Sequence, residues 1–194
     1  MNVFVDLTLK VTPEHTKDAQ GNEKKALTGH LGTHFDVMDK VFPLAFLRRP
    51  ALVLDASAVA GRDIEPEDLP LERVLPGDAV LFSTGWLERE GYATPAYFKE
   101  HPQLSQRLID ALLEREVSLL GIDCAGIRRG REHTPADQRC ADRGAFVVEN
   151  LCNLQGVLRG APWAGCTLYT FPVNFAQMSG LPCRVVAELP EGEE

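Results

Sequence analysis

Two histidines and an aspartate lie within seven residues near the start of the chain, in the stretch Gly29-His30-Leu31-Gly32-Thr33-His34-Phe35-Asp36. The whole chain has only five histidines, so this grouping needs an explanation. Neutral imidazoles and carboxylates are common ligands of divalent ions such as zinc and manganese. The stretch therefore indicates a metal site formed by His30, His34 and Asp36. The alternative is a surface loop whose histidines share no role.

The spacing of these residues limits the backbone that can bring them together. On a helix, His30 and His34 would lie about 6 Å apart, but Asp36 would point away from them. On a straight strand the two histidines would share a face yet lie about 13 Å apart, near the limit for ligands of one ion. Gly32 lies between them and tolerates a bend because it has no Cβ. We therefore predict an extended segment that bends at Gly32.

Hydropathy patterns predict the elements around this segment. Apolar and β-branched runs predict strands over residues 3–11, 51–55, 79–84, 118–122, 145–148, 168–173 and 183–189. Apolar residues at helical spacing predict a helix over 103–116, and polar residues predict a loop over 12–26. A further helix is predicted to begin with Thr134 as its N-cap and Pro135 at its first position, and to end at Gly144. The fold class is therefore α/β with a mixed sheet, in one domain over residues 1–194.

Composition narrows the class of protein. The chain has 194 residues, of which 44% are apolar and 25% are charged, as in an ordinary globular protein. A net charge of −8 argues against a nucleic-acid partner or an anionic membrane surface. The start of the chain lacks the features of a secretory signal. The five cysteines lack Cys-x-x-Cys spacing, which is typical of reduced thiols and predicts a cytoplasmic protein.

With these pieces in order, the chain resembles the putative cyclase family of metal-dependent hydrolases, which includes kynurenine formamidase (arylformamidase) and isatin hydrolase. The family signature is His-x-Gly-Thr-His-x-Asp-x-Pro-x-His, and this chain supplies its first five named positions as His30, Gly32, Thr33, His34 and Asp36. The resemblance implies a swivelling β/β/α domain, a divalent metal ion (zinc or manganese) and a homo-oligomer, often a dimer with the active site near the subunit interface.

The chain departs from the family at three positions. Met38 stands in place of the signature proline, and Lys40 in place of its last histidine. The family also has a metal-site histidine twelve residues before a later glutamate; that glutamate corresponds to Glu149, and the position before it holds Asp137. The resemblance implies that Asp137 and Glu149 complete the first metal site or hold a second ion. Lys40 is predicted to be a surface cation.

Each of the remaining candidate residues is open to two interpretations. Asp137 is a metal ligand or an acid that stabilises the first turn of a helix. Glu149 follows a buried strand, where a carboxylate is costly unless it is paired or coordinated, so a role in the site is favoured. His133 is a solvated loop residue, or it replaces the missing family histidine as a ligand or an acid. Three arginines either form a solvated charge run or recognise a substrate carboxylate: Arg128, Arg129 and Arg131.

The leading hypothesis is metal-assisted hydrolysis of an amide, lactam or lactone in a small cyclic or aromatic substrate. Glu149, or else Asp137 or His133, would move the proton. A second hypothesis is a relative that binds a metal or a small molecule without turnover. A third hypothesis is a non-haem iron oxygenase. A site of that class would leave His30 without a role, and the all-β fold usual for such oxygenases conflicts with the predicted helix over 103–116.

Overall fold

The computed structural model describes residues 3–12, 15 and 28–190 of the chain. Eight strands lie in this part: β1 (Val3–Asp6), β2 (His34–Asp36), β3 (Arg48–Asp55), β4 (Ala79–Ser83), β5 (Leu119–Ile122), β6 (Phe146–Glu149), β7 (Trp163–Pro172) and β8 (Gly180–Leu189). The α-helices of the same part are α1 (Trp86–Glu90), α2 (Pro95–Lys99), α3 (Gln106–Glu114), α4 (His133–Asp142) and α5 (Gln155–Leu158). None of these helices combines the length and apolar character needed to cross a membrane.

The strands form one mixed sheet that closes on itself. Strands β3, β4, β5 and β6 are parallel neighbours, so their carboxyl ends meet at one edge. The antiparallel strands β2, β8 and β7 continue the sheet from β6 and return to β3, and β1 pairs with β8 beside β2. The predicted mixed α/β class is therefore confirmed. The more specific description as a swivelling β/β/α domain stays a prediction.

The alternating side chains of the strands build two apolar layers. One set belongs to a core that includes residues from strands on all sides of the closed sheet: Val53, Leu81, Leu119, Val148, Leu168 and Val185. The intervening residues pack in a second core with the helices: Leu52, Leu54, Val80, Phe82, Leu120, Ile122 and Val147. Helix α3 contributes Leu108, Ile109 and Leu112 to this second core. The closed sheet thus has a filled interior, as expected for a small barrel.

Most of the predicted elements are present, with local differences. The helix predicted over 103–116 is α3, and the Ser105 hydroxyl caps it by accepting a hydrogen bond from the Leu108 amide (3.0 Å). The first strand ends at Asp6 instead of residue 11. Helices α1 and α5 were not predicted; both have only four or five residues, too few for a clear periodic pattern. The loop predicted over 12–26 lies outside the described residues except for Thr12 and His15.

Candidate metal centre

Strand β2 places two of the predicted metal ligands side by side. His34 and Asp36 lie two residues apart on this strand, so their side chains leave the same face of the sheet. The strand is held between β6 and β8, and both side chains are almost fully buried. His34 Nε2 lies 3.6 Å from Asp36 Oδ1. A short central strand therefore fixes these two groups rigidly.

The predicted bend at Gly32 brings His30 to the same place. Gly32 has a φ of +68°, and a Cβ there would lie 2.6 Å from Cγ2 of Val11, so only glycine fits without strain. After the bend, His30 Nδ1 lies 3.1 Å from His34 Nε2 and 3.0 Å from Asp36 Oδ1. These separations are far shorter than a straight strand allows, and the three residues offer donor atoms within 4.8 Å of one another.

Helix α4 and the end of β6 complete the cluster. Glu149 pairs directly with His34 across the sheet, and its Oε2 atom lies 3.5 Å from His34 Nε2. His133 and Asp137 stand one helical turn apart on α4, with His133 Nε2 3.3 Å from Asp137 Oδ2 and 3.4 Å from Glu149 Oε1. Asp36, His133, Asp137 and Glu149 form a second set of donors within 4.8 Å. The two sets share Asp36.

The interpretation of Asp137 as a cap of α4 is wrong. The helix begins at His133 with Glu132 at the N-cap position, because a single 3-10 turn over Gly130–Glu132 leads straight into it. Thr134 is therefore inside the helix and is not its N-cap. No acidic residue lies in the first turn, and Asp137 is 2% exposed and directed at the cluster. His133 is likewise not a solvated loop residue; its side chain is 31% exposed and faces two carboxylates.

Two imidazoles present the same ring nitrogen to the cluster. The Nδ1 atom of His34 lies 2.9 Å from the Gly32 carbonyl, which can only accept, so Nδ1 is the donor in this hydrogen bond and Nε2 is the ring nitrogen that faces the cluster. The His133 ring hydrogen bonds to the backbone of Arg128. Its Nδ1 lies against Gly126, where a Cβ would come within 2.6 Å. Backbone contacts of this kind orient metal-binding histidines in proteins.

The carboxylates of the cluster are buried together, and this perturbs their ionisation. Burial and the charge of Asp36 raise the pKa of both Glu149 and Asp137 well above the usual range. Burial also acts to raise the pKa of Asp36, but the opposing charge and hydrogen bonds of His34 and His30 lower it overall. Asp36, Asp137 and Glu149 repel one another when they are ionised, and of the three it is Asp36 whose ionised form the histidines stabilise. This arrangement is unfavourable unless a further cation shares the site.

The unused oxygens of these carboxylates fit a metal ion. Asp36 Oδ2, Asp137 Oδ1 and Glu149 Oε1 are buried and have no hydrogen-bond partner among the described residues. Buried polar atoms are nearly always hydrogen bonded, so three such atoms in one cluster need a ligand. Imidazole nitrogen and carboxylate oxygen are the donors that zinc and manganese accept. The residues present therefore fit a divalent ion, and their two overlapping sets offer room for one or two.

Several residues that support the cluster carry no sequence signal for this role. Asn150 donates from Nδ2 to the Gly32 carbonyl (2.9 Å), the same oxygen that orients His34. The Tyr97 hydroxyl donates to Asn150 Oδ1 (2.8 Å), and the Tyr92 hydroxyl accepts from the Gly32 amide (3.0 Å). Asn150 follows Glu149 in the sequence, but nothing in the pattern predicts its contact with Gly32. These contacts depend on the register of distant elements.

The cluster opens into a cavity of about 450 Å³. Its walls include the side chains of Met38, Tyr92 and Phe98, which give it an apolar side facing the charged cluster. Ser179 lies at the wall and is 2.9 Å from His30 Nε2. A small molecule with a ring and a reactive polar group would contact the apolar side with its ring and the charged cluster with its polar group.

Some of the residues considered from sequence do not reach the cavity. Lys40, at the position of the last signature histidine, pairs with Asp142 (2.7 Å) and Asp39 (3.1 Å), as expected of a surface cation. The three arginines at 128, 129 and 131 do not line the cavity either. Among the residues that the structure describes, the imidazoles that line the cavity are those of His30, His34 and His133.

A family profile matches part of the chain, and solved structures share its fold. A family profile described as putative cyclase matches residues 5–128. The match includes the segment from His30 to Asp36 and ends before α4, so the second half of the cluster lies beyond it. No curated protein matches the chain.

Solved structures with the same fold cover almost the whole chain. A potential metal-dependent hydrolase with cyclase activity aligns with a TM-score of 0.76 and 21% identity, over 99% of this chain and 100% of the other. A predicted metal-dependent hydrolase from Bacillus stearothermophilus aligns at 0.73 and 19%, over 97% and 98%. Isatin hydrolase A from Labrenzia aggregata, bound to benzyl benzoate, aligns at 0.73 and 22%, over 98% and 94%. At these identities the likeness establishes the fold.

Proposed function

The chain belongs to the putative cyclase family, and on that premise we propose that it is a metal-dependent hydrolase. Its substrate would be a small cyclic or aromatic amide, lactam or lactone. The observation that carries the proposal is a cluster of three histidines and three buried carboxylates on the wall of a cavity, in which three carboxylate oxygens have no hydrogen-bond partner among the described residues. The presence of metal-dependent hydrolases and isatin hydrolases among proteins of similar fold supports it.

The two donor sets suggest how metal would be held. His30, His34 and Asp36 would bind one divalent ion, zinc or manganese, through two imidazoles and a carboxylate. Asp137 and Glu149, with His133 and the shared Asp36, would bind a second ion or complete the shell of the first. A bound ion of this kind activates water and polarises a carbonyl group.

Proton transfer would fall to a side chain of this cluster. We assign it to Glu149, whose Oε1 atom is without a hydrogen-bond partner among the described residues and faces His133 Nε2 at 3.4 Å. Asp137 and His133 are the alternative carriers, and each of the three residues is available for this task only where it does not hold an ion. Lys40 is excluded from this task because it pairs with Asp142 outside the cavity.

The walls of the cavity support a substrate with a ring. Tyr92 and Phe98 form an edge-to-face pair with ring centroids 5.9 Å apart, and both line the cavity. Aromatic and thioether side chains favour contact with flat apolar groups. An arylformamidase-like substrate, with the amide held at the metal and the ring against this wall, fits these surfaces.

A second candidate is a binding relative that does not turn over a substrate. The position of Lys40 outside the cavity favours this second candidate, because the chain lacks the last signature histidine and Lys40 does not take its place. An iron oxygenase is less well supported, because the mixed α/β sheet differs from the usual all-β fold of that class and His30 shares the site with His34 and Asp36.

Metal analysis and a substrate screen test the proposal together. Protein purified without chelators should contain zinc or manganese by elemental analysis, and Asp36→Asn should lose most of it. The purified protein should hydrolyse at least one of N-formylaniline, isatin or an aromatic lactone, and His34→Ala should abolish turnover. The control Lys40→Ala, at a residue outside the cavity, should keep both properties. Absence of metal, with His34→Ala indistinguishable from wild type, would refute the proposal; metal without turnover would favour the binding relative.

We also propose that the chain forms a homo-oligomer. Three large apolar residues are exposed along the end of β7 and the turn that follows it: Phe171 (55%), Val173 (44%) and Phe175 (43%). The same turn leads to Ser179 at the cavity wall, so an interface here would lie close to the site. Light scattering should give a mass above that of one chain, and Phe171→Ser/Phe175→Ser should lower it. The cytoplasmic location stays a prediction.

A further inference from the structure

A second hollow, of about 510 Å³, lies beside the metal-site cavity and is rich in basic residues. We call it the basic hollow; its lining is formed by Phe98, Lys99, Gln103, and residues 128–132. Four of these side chains are lysine or arginine and one is glutamate. Such an excess of positive charge is unexpected on a chain with a net charge of −8.

Only some of these charges are neutralised within the protein. Arg128 is 8% exposed and binds both Asp63 and Glu132, each at 2.5 Å, so it is a structural residue whose single charge is shared by two carboxylates. Lys99, Arg129 and Arg131 have no ion-pair partner among the described residues. The Arg129 guanidinium donates to the Lys99 carbonyl (3.2 Å), and the Arg129 backbone amide donates to Gln103 Oε1 (2.8 Å). The basic hollow therefore has three cationic side chains that form no ion pair within the described part of the chain, and the group keeps a net positive charge after Asp63 and Glu132 are counted.

The basic hollow adjoins the cavity that holds the metal cluster. Phe98 lines both spaces. Glu132, on the wall of the basic hollow, is followed directly by His133 and Thr134, which line the cavity. Phe98 is therefore a wall that the two spaces share, and the segment from Glu132 to Thr134 passes from the basic hollow to the cavity.

We propose that the basic hollow recognises a carboxylate carried by the substrate, so that the preferred substrates are anionic ring compounds instead of neutral ones. This inference rests on the proposed hydrolase function and narrows its substrate class. Arginine and lysine are the side chains best suited to carboxylate recognition. Because Lys99 and Arg131 are exposed, each contributes modestly and its contribution is screened by salt.

A matched pair of probes tests this without requiring turnover. 4-Formamidobenzoate carries a carboxylate on its ring opposite the formamide group, and N-formylaniline differs only by lacking it. Calorimetric titration into the zinc-loaded protein should give about 10-fold tighter binding of the anionic probe at low salt, falling several-fold in 0.5 M NaCl. The double variant Lys99→Gln/Arg131→Gln should bind the two probes within about twofold of each other, because both altered side chains lose their charge and neither forms an ion pair within the described part of the chain.

A control variant removes two positive charges from another part of the surface. Arg143→Gln/Arg159→Gln alters two exposed arginines that line neither space, and it should keep the preference of the wild type. Equal binding of the two probes by the wild type, failure of the anionic probe to bind, or a preference that survives in the Lys99/Arg131 variant would each overturn the inference. Binding preference without hydrolysis of either probe would count against the hydrolase function but would uphold the role of the basic hollow.

Discussion

Two buried titratable groups outside the metal cluster should have opposite effects on stability. Asp123, at the end of β5, is 1% exposed and accepts hydrogen bonds from the Thr84 hydroxyl (2.6 Å) and the Gly85 amide (2.7 Å). Burial raises its pKa from 3.8 to about 6. His101 is also 1% exposed and donates from Nδ1 to the Pro102 carbonyl (2.8 Å). Burial lowers its pKa from 6.5 to about 4.

The signs follow from proton linkage. Between pH 4 and 6 the folded state binds the Asp123 proton more tightly than the unfolded state, so the stability from this group is lost as pH rises. His101 behaves in the opposite way: below pH 6.5 the unfolded state takes up its proton first, so its contribution is lost as pH falls toward 4. Each shift of about two units corresponds to about 3 kcal/mol in the free energy of unfolding. In the wild type the two effects largely cancel.

Single variants should separate the two contributions. From pH 4 to pH 7, the unfolding free energy of Asp123→Asn minus that of the wild type should rise by about 3 kcal/mol, because the variant no longer buries a charge. The same difference for His101→Asn, which can keep the hydrogen bond to Pro102, should fall by a similar amount. Urea denaturation followed by circular dichroism, at half-unit pH steps and with excess chelator throughout, measures both differences.

Two outcomes would contradict the pKa shifts of Asp123 and His101. A difference for Asp123→Asn that stays flat across this pH range would mean that the carboxyl titrates at its ordinary pKa in the folded protein. A difference for His101→Asn that rises with pH would mean that the folded state favours the charged imidazole. The double variant should give the sum of the two curves, since no direct contact joins the two side chains.

Three further predictions concern the metal cluster. Gly126→Ala would place a Cβ 2.6 Å from His133 Nδ1 at a φ of +132°, and should lower the unfolding free energy by about 1–3 kcal/mol together with metal affinity, as measured by denaturation and competition with a chelator. Tyr97→Phe removes the hydroxyl bound to Asn150 and should cost about 1–2 kcal/mol in the same denaturation assay; an unchanged midpoint would contradict its supporting role. Zinc at 100 times its dissociation constant should stabilise the wild type by about 2.7 kcal/mol, and thermal unfolding should show that Asp36→Asn loses most of this gain.

The part of the site that sequence predicts well is local. His30, His34 and Asp36 lie within one short segment, and its geometry follows from strand alternation and from the freedom of Gly32 to adopt a positive φ. The buried strands and α3 could be predicted for a similar reason, because their apolar residues repeat with the period of the element. The resemblance to the family rests largely on the same local signature.

The other half of the site was decided by tertiary structure. Strand β2 pairs with β6, and this register places Glu149 beside His34 although the two residues lie far apart in the sequence. Helix α4 begins earlier than its cap residues predict, so that His133 and Asp137 both lie inside it, one turn apart, and face the same cluster. Capping rules describe a helix end in isolation, whereas here the preceding 3-10 turn sets the start of the helix. Long-range pairing of strands, which no local pattern encodes, brings the carboxylates together and leaves their oxygens available to a cation.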